Sequence, residues 1–384
     1  MKITSIETYA LSMPLPVPLW TAHETLRSAS AIIVEVKTDD GLVGYGEIHG
    51  VPMKRICEWV ERFAEVVRGM DPLGHAEVWE RLFSLTNPRP GGIHGSGGLP
   101  PPLSRSARPQ IMAAIAGIDI ALWDIKGKAA GLPVYRILEG SSQPVFAYAT
   151  GGYYRDGATV KDYADELAEF VKAGYRAVKL KCCACEMAEE VARIKAMRAA
   201  VGADTLLMLD MNAAYTVDEC ITFARAVEPQ NIYWLEEPLH WYLQPADFLQ
   251  LAAATTIPLA HCERELTRFS VRDFMTSGAI RFVQFDSTRF AGFTEALRIA
   301  QLAEQCGVLI APHLAPELHT HLVAAFPNAS FGVEMLGNAM RDPLALGIYK
   351  QHRELKDGHI PLSEAPGFGI EIDWEFVRHY TVQS

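Results

Sequence analysis

The sequence predicts an α/β protein: a (β/α)7β TIM-like barrel joined to a smaller α+β domain built by its N-terminal region. Three observations predict it. From about residue 144 onward, eight short apolar runs alternate with helical patterns. Ionisable residues recur at the ends of seven consecutive runs. The first ~125 residues have a different rhythm, with β-rich runs followed by helices. A chain of 384 residues also exceeds the size at which one core stops growing. The divisions expected are 1–125 for the N-terminal domain and 126–355 for the barrel.

In the N-terminal part, Ile32 to Thr38 and Leu42 to Glu47 flank Asp39-Asp40-Gly41, a hairpin signal. From Pro52 onward, Trp59, Phe63, Val66 and Val67 fall at helical spacing. A Pro/Gly/Ser-rich stretch from Asn87 to Pro109 reads as a long loop. The nearly apolar run Ile111 to Ala130, stopped by Gly131 and Pro133, reads as a helix buried between domains.

The barrel runs are Val145 to Ala149, Ala177 to Lys181, Leu206 to Asp210, Ile232 to Glu236, Ile257 to Ala260, Phe282 to Asp286, Val308 to His313 and Phe331 to Glu334. Between them, Thr159 is the expected N-cap and Gly174 the stop of one helix, and Thr216 to Glu219 forms a capping box. Eight strands separated by helices make a parallel sheet that closes most simply as a barrel. The rival, an open doubly wound sheet, wants a glycine-rich phosphate turn, and Gly151-Gly152 lacks the G-x-G-x-x-G spacing.

The 35 basic and 46 acidic side chains leave a formal charge of −11, which argues against nucleic acid or an anionic membrane as partner. No apolar run is long enough to span a bilayer, and Met1 to Glu7 has no signal-peptide core. Seven cysteines, an odd number, fit a reduced, cytoplasmic protein. Cys182-Cys183-Ala184-Cys185 lacks the looser spacing of a zinc site and reads as packing or loop cysteines.

In a βα barrel the strand C-termini form the active-site mouth. The residues there are Lys179, Lys181, Asp210, Glu236, Glu263, Asp286, His313 and Glu334, and from Asp210 onward the intervals are 26, 27, 23, 27 and 21 residues. Each interval equals one βα unit, so the side chains converge. Asp210, Glu236 and Glu263 form an oxygen-only site suited to one Mg²⁺ and a bidentate carboxylate. Asn212 supports that shell, touches substrate, or is a simple turn residue. Lys179 and Lys181 point to one side of a strand, where two ammoniums depress each other's pKa. One then serves as general base while the other holds a carboxylate. Asp286 is expected to accept from one nitrogen of His313, leaving the other for acid–base work. Glu334, if protonated, can donate to a developing enolate oxygen.

Lys179-Leu180-Lys181, Leu209-Asp210-Met211-Asn212, Trp234-Leu235-Glu236-Glu237-Pro238, Glu263, Asp286 and His313 together resemble the enolase superfamily, mandelate racemase subgroup. The resemblance spans nearly the whole chain. It implies that 356–384, with Pro366-Gly367-Phe368-Gly369-Ile370, returns to the N-terminal domain and completes a cap on the barrel. It also implies that Lys181 and His313 are bases on opposite faces, that Lys179 steadies the carboxylate, and that Glu334 is the electrophile. Relatives are often octamers, so a homo-oligomer is expected. The chain departs from the pattern at His261-Cys262-Glu263, where a glycine often precedes the third ligand, and at the cysteines after Lys181.

The expected function is magnesium-dependent removal of the proton next to a carboxylate, giving an enediolate. Loss of a β-hydroxyl would make it an acid-sugar dehydratase, the commoner activity among such relatives. Return of the proton from the other face would make it a racemase or epimerase. His23, Arg27 and His49, in cap loops, are expected to meet sugar hydroxyls or a distal carboxylate. A zinc amidohydrolase could use His319-Thr320-His321, but that H-x-H falls at a helix start, where the two side chains diverge. A non-catalytic binding protein should have lost a ligand or base, and none is lost.

Overall fold

The computed structural model describes residues 1–86, 103, 105–351 and 353–382. The Pro/Gly/Ser-rich stretch therefore lies outside the described residues between 87 and 102. The N-terminal part is a three-stranded antiparallel sheet, β1 (Ile3–Trp20), β2 (Thr25–Thr38) and β3 (Val43–Ile48), in that order. Helices α1 (Met53–Val67), α2 (His75–Ser84) and α3 (Arg108–Ala130) follow. β1 was not foreseen, because Pro14, Pro16 and Pro18 interrupt its pattern. It is an edge strand, and an edge tolerates residues that cannot donate to a ladder.

After a short α4 (Val134–Ile137), strands and helices alternate: β4 (Val145–Gly151), α5 (Val160–Lys172), β5 (Ala177–Lys181), α6 (Met187–Val201), β6 (Leu206–Asp210), α7 (Val217–Val227) and β7 (Ile232–Glu236). Then come α8 (Pro245–Ala252), β8 (Leu259–His261), α9 (Arg268–Ser277), β9 (Phe282–Val283), α10 (Phe293–Cys306), β10 (Leu309–Ile310), α11 (Pro316–Ala325) and β11 (Val333–Leu336). β4 to β10 are parallel neighbours in sequence order, and β11 lies beside β4. The curl closes at Ile310, whose N–H donates to Ala329 O and whose carbonyl accepts from Phe331 N, both at 2.8 Å. Capping boxes at Thr159–Asp162 and Thr216–Glu219 start α5 and α7, and Gly131 at φ 67° ends α3.

Two cores meet at α3. Ile115, Ile118, Leu122 and Ile125 pack with Ile32, Val34 and Ile48 of the sheet, whereas Ile120 and Trp123 belong to the barrel core with Phe293. The sheet lies so close to α3 that a Cβ on Gly46 would sit 1.9 Å from Gly117 O. Buried Asp119 seals the other side, accepting from Thr294 N and Oγ1 at 2.8 and 2.6 Å. The chain then runs through β12 (His359–Ile360), antiparallel to β4, to α12 (Trp374–Tyr380). Gly367 N donates to Leu132 O and Val382 N to Ala10 O, and Ile372 and Val377 pack against Leu11, Leu15 and Ile33. The tail thus closes back on the cap.

Candidate active site

β5, β6 and β7 end on Lys181, Asp210 and Glu236. The next three side chains lie past the regular strands: Glu263 after β8, Asp286 after β9 and His313 after β10. The ladder nevertheless continues through them. Gln284 N donates to His261 O at 2.8 Å and His313 N to Phe285 O at 3.0 Å. Backbone pairing therefore reaches the mouth where the strands are short.

One oxygen from each of Asp210, Glu236 and Glu263 lies within 4.8 Å of the other two, and all three residues are buried. Lys181 Nζ donates to Asp210 Oδ2 at one end. At the other, His313 Nε2 approaches Glu263 Oε2 to 3.3 Å. His313 Nδ1 lies 3.1 Å from Asp286 Oδ2, so the carboxylate fixes the ring's orientation. Lys179 Nζ sits 2.5 Å from Glu236 Oε1 and 2.9 Å from Glu334 Oε1. Trp234 Nε1 and Gln284 Nε2 donate to Glu236 Oε2 at 3.1 and 2.7 Å.

The donor set fits a hard cation. Three carboxylates converge without an opposing donor for every oxygen: Glu263 Oε2 and Asn212 Oδ1 are buried and make no hydrogen bond. Three carboxylate oxygens converging from separate strands, with such a spare acceptor among them, suit Mg²⁺.

Two electrostatic expectations are corrected. The mutual repulsion of the lysines is outweighed, although Lys179 does lower Lys181. Burial opposes their charge, but Glu236, Glu334 and Asp210 override it, and both are raised above the ordinary lysine value. The sequence reading counted the neighbouring ammonium and not the carboxylates each one touches. Glu334 is likewise not held protonated. Burial would raise it, yet Lys179, His313 and Lys181 pull it down to about 2. It accepts from Thr150 Oγ1 at 2.5 Å and from Leu314 N at 3.2 Å. Among the three clustered carboxylates, burial and its acidic neighbours raise Glu236. Glu263 is lowered, because His313, Arg264 and Lys181 outweigh its burial.

A cavity of about 360 Å³ opens over the trio, lined by Lys181, Asn212, Glu263 and His313 below and by Leu26, Ser28, Ser30 and His49 of the cap above. His49 is held by Glu47 at 2.5 Å, which raises its pKa against its burial. Asn212 O accepts from His23 Nδ1 at 2.9 Å, and Arg264 Nη2 donates to His23 Nε2 at 3.0 Å. His23 therefore buttresses the rim. Arg27 is exposed and does not line the cavity, because alternation along β2 turns Leu26, Ser28 and Ser30 inward instead. Three arginines that line it, Arg264, Arg289 and Arg341, were not foreseen. They lie in loops beyond the strand ends, where no periodicity announces orientation.

The H-x-H histidines diverge on α11 and have protein partners at every ring nitrogen. His319 Nδ1 donates to Leu314 O at 2.6 Å and Nε2 accepts from Ser287 Oγ at 2.7 Å. His321 Nδ1 accepts from Tyr135 N and Nε2 donates to Phe368 O, both at 3.1 Å. Burial, with Arg353 adding to it, pushes His321 down to about 3. An imidazole kept neutral in the fold stabilises fully above its unfolded value near 6.5, and that contribution drains away as pH falls toward 3. Stability will therefore fall by about 1.4 kcal/mol per pH unit from this side chain between roughly pH 6 and 4. Urea unfolding at stepped pH will show it, and His321→Gln will flatten that part of the curve. All seven cysteines are free. Among the described residues the three-carboxylate group is the one cluster with metal-site geometry.

This fold and site define a (β/α) barrel enzyme of the enolase kind. Family models match over both parts: the enolase C-terminal domain-like family over residues 162–376, and the mandelate racemase / muconate lactonizing enzyme N-terminal domain over residues 5–139. The chain belongs to the enolase superfamily, in its mandelate racemase/muconate lactonizing enzyme subgroup. It is 30% identical to arabinonate dehydratase of Saccharolobus solfataricus over 92% of this chain and 91% of that one. It is 32% identical to D-galactarolactone cycloisomerase of Agrobacterium fabrum, over 99% of both. Among solved structures it is similar to L-talarate/galactarate dehydratase of Salmonella typhimurium LT2 liganded with Mg and L-lyxarohydroxamate. That match has a TM-score of 0.84 and 28% identity, covering 100% of this chain and 93% of that one. Among the described residues no helix is long and apolar enough to cross a membrane.

Proposed function

We propose that the protein is a magnesium-dependent acid-sugar dehydratase. The observation that carries the reading is the placement of two proton carriers at opposite ends of one buried carboxylate trio: Lys181 on Asp210 and His313 on Glu263. Asp210, Glu236 and Glu263 would hold the ion. A bound ion would draw electrons from the substrate carboxylate and compete with Lys179 and Lys181 for the carboxylate charge that now keeps both protonated.

The substrate would lie in the cavity with its carboxylate toward Lys179 and its α-carbon between Lys181 and His313. One of the two bases takes the α-proton, and the C–H electron pair passes into the bond toward the carboxylate. The pair then returns to form the Cα–Cβ double bond as the β C–O bond breaks. The imidazolium of His313, oriented by Asp286, delivers the proton with which the hydroxyl leaves as water. The resulting enol tautomerises to a 2-keto-3-deoxy acid.

A library of acid sugars incubated with Mg²⁺ in D2O tests the reading. A 2-keto-3-deoxy acid from at least one member is the expected product. Deuterium at the α-carbon with inversion and no loss of water would instead make the enzyme a racemase or epimerase. Isomerisation of a sugar lactone without water loss would align it with the cycloisomerase relative.

A further inference from the structure

Four cationic side chains, Lys181, Arg264, Arg289 and Arg341, line the cavity beside the acidic Glu24, Glu263, Glu265 and Asp342. Three of the four cations are committed. Lys181 bonds Asp210, Arg264 Nε lies 3.4 Å from Glu263, and Arg289 Nε lies 3.2 Å from Asp286. Arg341 differs. It lines the cavity from the segment after β11, half-buried, and makes no hydrogen bond or ion pair among the described residues. Among the described residues its one aromatic contact is the Tyr153 ring, with Cζ 5.8 Å from the centroid, a weak cation–π contact at most. The adjacent Asp342 lines the cavity too, but its Oδ1 accepts from Ala345 N at 3.1 Å and no ion pair joins it to Arg341 among the described residues.

We propose that Arg341 receives a second carboxylate at the far end of the substrate, so that the preferred substrates are aldaric diacids over aldonic monoacids. This rests on the acid-sugar reading and narrows it. The Tyr153 ring also lies 5.5 Å from Lys181 Nζ, so both cations lie against the same ring. They stand no farther apart than those two ring distances laid end to end, within the span of an extended sugar chain. One carboxylate would then meet the Lys181 end, the second would form a two-pronged pair with the guanidinium, and the hydroxyls between would face Ser28 and Ser30. A guanidinium kept unpaired in a partly dry cavity is costly unless an anion repays it.

The test compares matched pairs, galactarate with galactonate and glucarate with gluconate, in Mg²⁺, using wild type, Arg341→Met and Arg341→Lys. Both kcat/KM and calorimetric binding are read. Wild type should favour a diacid over its monoacid at least ~10-fold. Arg341→Met should lower that ratio about 100-fold, mainly through KM, and Arg341→Lys should restore part of it; loss of one charge-assisted pair is worth roughly this much. A ratio unchanged in Arg341→Met, or a wild type that prefers monoacids, would overturn the assignment and leave the dehydratase reading intact. If no acid sugar of either kind binds or reacts while Mg²⁺ still raises the melting temperature, both readings fall together.

Discussion

Glu263→Gln will abolish the response of the protein to magnesium. In wild type, Mg²⁺ at about 100 times its dissociation constant should add roughly 2.7 kcal/mol of stability, visible as a rise in melting temperature. In the variant that rise should vanish, with metal affinity down by more than ~100-fold, beyond the loss typical of a supporting partner. Turnover should fall at least as far. Glu263 is the cleanest of the three ligands to change. Glu236 is gripped by Lys179, Trp234 and Gln284, and Asp210 by Lys181, so an amide at either place would strand buried donors. Glu263 Oε2 makes no hydrogen bond, and the carboxylate has only the looser pairs with His313 at 3.3 Å and Arg264 at 3.4 Å, so the metal-free variant should melt closer to the metal-free wild type than an amide at either other ligand would. If calorimetry shows Glu263→Gln binding Mg²⁺ like wild type, the trio is not the metal site.

His313→Asn separates proton removal from water loss. The asparagine amide can still donate toward Asp286, so the pocket keeps its shape, but nothing at that position can carry a proton. Dehydration should fall by about 10²–10⁴-fold, the usual contribution of one general acid or base. Exchange of the α-proton for deuterium should persist if Lys181 removes it, read by NMR in D2O with Mg²⁺ present. Full loss of both exchange and dehydration would make His313 the base that opens the reaction. Unchanged dehydration would remove it from the chemistry.

Much of this site was legible because a barrel converts sequence period into convergence. Asp210, Glu236 and Glu263 recur at one βα unit, and no solvated surface requires acids at that interval. The Asp286–His313 pair was legible for the same reason. What escaped was whatever depends on partners from other elements. The charge states of Lys179 and Glu334 are set by each other, with Glu236 acting on Lys179 and with His313 and Lys181 acting on Glu334, across strands the sequence does not align. Arg27 was chosen for its chemistry, yet it faces away, because a one-residue step along β2 reverses the side. Arg264, Arg289 and Arg341 sit beyond the regular strands, where neither period applies. β1 was hidden by its own prolines, and only its edge position makes them acceptable.

The helix shared by the two cores has a consequence for how such a molecule can change over time. α3 gives Ile115, Ile118 and Leu122 to the cap and Ile120 and Trp123 to the barrel, with Asp119 tied to Thr294. The wall that carries Leu26, Ser28 and Ser30 can therefore drift residue by residue, while the cap cannot be swapped as a block. A transplanted cap would need a helix already fitted to this barrel's Phe293 and Thr294. Inheritance of new specificity would then proceed by point substitution around the cavity, with the junction held fixed as the shared part of both lineages.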